Sequence, residues 1–71
     1  MMKLLKEAKT KSFKTTYSVK LFDEEDGKFC VYANNSNFNW GHSAIYETKE
    51  EAEKDFDNIL KLYNFYKWEV K

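Results

Sequence analysis

Apolar residues return every three or four positions between Thr48 and Tyr63. Ala52, Phe56, Ile59, Leu60 and Tyr63 fall on one face of a helix with a period of 3.6. Thr48 followed by Glu51 has the form of a capping box, in which the threonine oxygen accepts from the Glu51 N–H. The spacing predicts a helix over residues 49–63, about 22 Å long at ~1.5 Å per residue. Upstream the period drops to two. Phe13, Tyr17, Val19 and Leu21 alternate with Lys14, Thr16, Ser18 and Lys20, which predicts a half-buried strand over 13–22. Asp23, Glu24, Glu25, Asp26 and Gly27 form a turn, with Gly27 free to take a positive φ. A second strand follows over 28–34, with Phe29, Val31 and Ala33 on one face and Cys30 and Tyr32 on the other. Residues 34–42 form a loop holding four asparagines and two aromatics, Phe38 and Trp40. Residues 43–47 make a short third strand that leads into the helix.

Two segments stay open. Leu4, Leu5 and Ala8 allow residues 3–10 to be a short amphipathic helix or an edge strand. Phe65, Tyr66, Trp68 and Val70 allow 65–70 to be a last strand or an extended tail. The expected architecture is therefore α+β, one domain over 1–71. It is a three-stranded antiparallel meander in the order βββα, with the C-terminal amphipathic helix packed on one face.

Seventy-one residues bury only about 60% of the surface their unfolded chain exposes. Thirteen residues are Phe, Tyr or Trp, enough to close one core and leave rings for a partner. The formal net charge is zero, but residues 1–20 hold six lysines against Glu7, and the remainder holds six lysines against eleven acids. The chain is bipolar along its length. It has no arginine, and so no planar five-donor fork for carboxylate, phosphate or guanine. The lack of arginine, proline and glutamine beside abundant lysine and asparagine fits an AT-rich coding sequence, as in a low-GC bacterium or its phage. Cys30 is the lone cysteine, so no intramolecular disulfide forms, and a reducing cytoplasm is the expected location. No apolar run approaches the ~20 residues of a membrane span, so no membrane partner is expected.

Candidate chemistry is sparse. Cys30 and His42 are the only soft ligands, fewer than a zinc site needs, and a mid-strand cysteine lacks the electropositive setting of a nucleophile. Counting back from Gly27 places Phe22 first in a calcium loop, where an acid is required. No catalytic, metal or cofactor residues are assigned. What remains points to binding. Tyr32, Phe38 and Trp40 are the candidate anchors, since aromatic side chains dominate binding hot spots. The acids Asp23, Glu24, Glu25 and Asp26 of the turn, with Glu50, Glu53 and Asp57 of the helix, can steer encounter with a basic protein. The helical acids also have local work, complementing the helix dipole and pairing as Glu50–Lys54 and Asp57–Lys61.

Two likenesses bear on function. The strand order, the turn at Asp26-Gly27-Lys28 and the run Tyr46-Glu47-Thr48-Lys49-Glu50-Glu51-Ala52 resemble the arm-binding N-terminal module of tyrosine integrases over about residues 13–60. That resemblance implies a sheet laid in a DNA groove, here through Lys14, Lys20 and Lys28. The chain departs from it in having no arginine and few basic residues on its second and third strands. The order also has a likeness to double-stranded RNA-binding domains, but Lys49-Glu50-Glu51-Ala52-Glu53 stands where that family grips phosphates with lysines. By size and aromatic character alone, the chain is similar to small phage-encoded inhibitors of bacterial defence such as anti-CRISPR proteins. The expected function is a non-enzymatic, protein-binding inhibitor that occludes a nucleic-acid-handling effector with a basic surface. Nucleic acid is not expected as its ligand, and a two-fold homodimer fits the surplus of aromatics.

Overall fold

The computed structural model describes residues 2–63 and 67–70. Its elements run β1 (Lys3–Ser12), β2 (Thr15–Asp23), β3 (Phe29–Asn35), β4 (Gly41–Tyr46), α1 (Lys49–Leu62) and β5 (Glu69–Val70). The sheet has five antiparallel strands in the order β4-β3-β2-β1-β5, not three. The expected meander is present as β2-β3-β4, and residues 3–12 extend it as a full strand. Within the open segment 65–70, Glu69 and Val70 pair with Lys9 and Ala8. Phe65 and Tyr66 lie outside the described residues.

The strand expected over 13–22 is β2, which begins later, at Thr15. Phe13 belongs to the two-residue β1–β2 turn, with a φ of 55°, and its ring is 98% exposed. The correction has a physical cause. Ser12 pairs with Thr15, so the chain reverses at Phe13-Lys14, and Phe13 fits the period-two spacing of Tyr17, Val19 and Leu21 only in sequence. In β1 the register shifts between Leu4 and Lys6, so Leu5 is the extra residue of a bulge and the Leu4-Leu5 pair straddles it.

Cross-strand pairing sorts the side chains onto two faces. One face carries Ala8, Val19, Leu21, Val31 and Ala33, all buried, against Ala52, Phe56 and Ile59 of α1. Leu60 and Tyr63 pack at its margin. Thr48 caps the helix as its sequence predicts. Its hydroxyl oxygen accepts from the Glu51 N–H at 3.2 Å and donates to the Glu51 carboxylate at 3.0 Å. Such a cap contributes about 1 kcal/mol. The second sheet face is covered by no element among the described residues.

The antiparallel course also fixes the two ends. The β2–β3 turn and the start of α1 share one end, since Asp23 pairs with Phe29 and Phe29 pairs with Tyr46 just before the helix. The β1–β2 turn, the loop 36–40 and the end of α1 share the other. β4 stands at the sheet edge with no lysine, aspartate or glutamate along it.

Candidate interaction surface on the uncovered sheet face

One apolar row crosses four strands of the open face. Leu4 pairs with Phe22, Phe22 with Cys30, and Cys30 with Ile45. Directly paired side chains stand about 5 Å apart, so the row is continuous. Leu4 is 46% exposed and Ile45 61% exposed. Met2 and Tyr32 adjoin it, both also exposed, and together with Phe22, Cys30 and Lys20 they line a hollow of about 270 Å³.

The acidic turn lies next to this row. Asp23 ends β2 one residue beyond Phe22, and the negative charge of Glu24 is felt at Cys30, whose thiol pKa is raised by burial first and by that charge second. The turn has a defined shape. Asp23 accepts from the Glu25 N–H at 2.9 Å, Asp26 accepts from the Lys28 N–H at 3.2 Å, and the Glu24 N–H donates to the Lys28 carbonyl at 3.0 Å. Glu25 and Gly27 both take positive φ, 66° and 85°. The apolar row is thus bordered at one end by an acidic turn.

The other expected site residues are dispersed. Glu50, Glu53 and Asp57 belong to α1, on the opposite side of the sheet from the apolar row. Asp57 meets Lys6 at 4.0 Å; Lys6 also stands 5.2 Å above the Phe56 ring. Trp40 is folded onto the core, edge-on to Tyr17 at 5.3 Å and to Tyr63 at 5.1 Å. Phe38 does the reverse, 83% exposed at a φ of 56°. Tyr32, Phe38 and Trp40 nonetheless line one shallow groove of about 520 Å³ along Gly41–Ser43. Tyr32 belongs to both hollows and is the point where they meet. Lys14 and Lys28 stand at opposite ends of the sheet, and Lys20 lies between them on the open face.

Two polar constellations can be assigned chemically. Cys30 pairs with Ile45 and points to the open face, while His42 pairs with Ala33 on the helix side. The two cannot act as a nucleophile and its base. His42 instead contacts Asp55 of α1 at 2.8 Å, and Asp55 also acts on the Tyr46 hydroxyl. The Tyr46 pKa is raised, by burial first and then by Asp55 and Glu51. Asp55 thus ties β4 to the helix. No three His, Cys, Asp or Glu side chains converge as a metal site among the described residues, and none of the described helices is long and apolar enough to cross a membrane.

Sequence reasoning missed Leu4, Phe22 and Ile45. Each is the one apolar residue that its strand places on the open face, and only the cross-strand register joins them. Comparison with known proteins gave no match to a family model, a curated protein or a solved structure.

Proposed function

We propose that this chain is a non-enzymatic protein-binding domain whose contact surface is the acid-rimmed apolar row of the open sheet face. The observation that carries this reading is the continuity of Leu4, Phe22, Cys30 and Ile45 across four strands, with no element among the described residues over them. Leaving that surface wet costs about 25 cal/mol per Å² of apolar area relative to burying it. The core that closes the fold lies on the opposite face, so this row is not needed to pack the helix. Tyr32 is the anchor, being an amphipathic ring at the junction of two hollows. Asp23, Glu24, Glu25 and Asp26 select a partner with a basic surface and speed its approach. A protein that handles nucleic acid has such a surface. Covering it would inhibit that partner by occlusion, in the manner of anti-CRISPR-type proteins.

The test compares immobilised wild-type protein with Ile45→Asp and Tyr32→Ala on a bacterial lysate, with retained proteins quantified by mass spectrometry. Both positions are exposed, so both variants keep the fold, which circular dichroism checks. The expected result is one basic protein retained by the wild type and lost with either variant. Retention of the same proteins by all three, or of acidic proteins only, contradicts the reading.

A further inference from the structure

We infer that the other half of the open face binds single-stranded nucleic acid, with Phe38 and Phe13 as stacking platforms and Lys9, Lys11, Lys14 and Lys20 on the phosphates. This does not rest on the protein-binding reading, whose anchor and acids are other residues, although Lys20 borders both regions.

The first argument is the pair of rings. Phe13 and Phe38 are 98% and 83% exposed, and neither packs against the core. Both sit at positive φ, 55° and 56°, a conformation that costs free energy for any residue with a Cβ. Glycine or asparagine would suit these positions better for folding alone. The two turns that hold them are fastened together. Asn37 donates to the Thr15 hydroxyl at 2.9 Å, the Ser36 N–H donates to the Thr16 carbonyl at 2.9 Å, and the Thr16 N–H donates to the Ser36 hydroxyl at 3.1 Å. Asn35 is buried and grips Asn39 twice, at 2.6 and 3.1 Å, so the turn carrying Phe38 is set before any ligand arrives. Preorganised rings lose little entropy on binding.

The second argument is what lies beside them. A groove of about 240 Å³ runs from Phe38 along the open face, lined by Lys9, Lys20, Thr16, Ser18 and Asn34. Lys11 pairs with Thr16 on the same face, and Lys14 sits in the turn with Phe13. Among the described residues, two carboxylates oppose these four lysines. Glu7 lies 3.9 Å from Lys9 and 3.8 Å from Lys20, and Glu69 is across from Lys9 on β5. One carboxylate shared between two ammonium groups leaves both with donors for a phosphate. The zero net charge of the chain hides this, because most of the acids lie in the β2–β3 turn or on α1, on the other side of the sheet.

Cations beside exposed flat rings, with hydroxyl and amide groups between, match a strand whose bases are unstacked. A duplex keeps its base faces hidden, and the chain has no arginine with which to read base edges. The fit is therefore to single strands, without sequence preference.

Fluorescence anisotropy of a labelled oligothymidylate of about 15 nucleotides, a length one small sheet platform can span, tests this on the full chain. Affinity should fall between about 50 and 200 mM salt with a log–log slope of about 3, the value for four phosphates on a single strand. Phe38→Ala should weaken binding about tenfold, the cost of one lost stack. Lys9→Gln with Lys20→Gln should flatten the slope, and Ile45→Asp should leave binding unchanged. The inference is overturned by absent or salt-insensitive binding, by undiminished binding of Phe38→Ala, or by equal affinity for duplex. It is also overturned if the protein sediments with phosphatidylserine vesicles while ignoring the oligonucleotide.

Discussion

Near the β2–β3 turn, the cross-strand row on the open face reads Leu4, Phe22, Cys30 and Ile45; near the β1–β2 turn, the corresponding row reads Lys9, Ser18, Asn34 and Gly41. The same four strands carry both rows, and the same backbone ladder holds them. Beneath both lies one core of Ala8, Val19, Leu21, Val31 and Ala33 closed by Phe56. The contrast shows that the buried face specifies the fold, which leaves the open face to be patterned for other ends. A single sheet thereby presents an apolar, acid-bordered region and a polar, lysine-bearing region, separated by one row in which Lys20 pairs with Tyr32.

The largest expected effect removes the shared foundation. Phe56 is fully buried, and Phe56→Ala should cost about 3–5 kcal/mol, read as a lower denaturant midpoint. In a domain this small both surfaces should vanish together. If either binding activity outlives the fold, the halves do not share a platform. Tyr32→Ala acts on one half alone and should lower affinity for the protein partner by about 2 kcal/mol. Isothermal titration against the captured protein reads this, and an unchanged affinity would move the anchor elsewhere.

Smaller effects sharpen the boundary between the halves. The Cys30 thiol sits in the apolar row with its pKa raised by burial and Glu24, so iodoacetamide should alkylate it more slowly than a free thiol at mildly alkaline pH. Bound partner should slow it further, whereas bound oligonucleotide should not. Tyr46, on the helix side, supplies a control that involves neither half. Its folded pKa lies above the unfolded value of about 10, so its neutral form is the one that folding favours. That contribution is intact below the unfolded pKa and is lost as pH rises through the folded pKa. Thermal melts should therefore fall at strongly alkaline pH, and less steeply in Tyr46→Phe. Phe13→Asn should leave stability unchanged or raise it by up to about 1 kcal/mol, because asparagine tolerates the left-handed region. A clear loss of stability would mean that the ring does belong to the fold.

The helix was wholly legible in the sequence because its signals are local. The Thr48–Glu51 cap and the recurrence of Ala52, Phe56 and Ile59 need no partner to be recognised. β1 was ambiguous for the converse reason. Its inward positions are Lys6, Ala8 and Thr10, and lysine, glutamate and alanine favour helices when taken alone. Pairing with Val19 and Leu21 decides in favour of a strand. That ambiguity also hid Lys9 and Lys11, which acquire a face only once β1 has a register. Trp40 and Phe38 looked alike in a polar loop. The difference between them comes from Tyr17 and Tyr63, which stand far off in sequence and receive only the tryptophan.

The strand order has a consequence for how the chain assembles. Each of β1 to β4 pairs with its neighbour in sequence, across connections of two, five and five residues. Contacts so local close cheaply, and topologies of this kind fold fast. β5 is the exception, since Glu69 and Val70 must return past the helix to meet Lys9 and Ala8. With two residues of pairing, it should zip last and open first. Its amides should exchange with solvent long before those of β2 and β3, and the flank of β1 that it covers is exposed each time it opens.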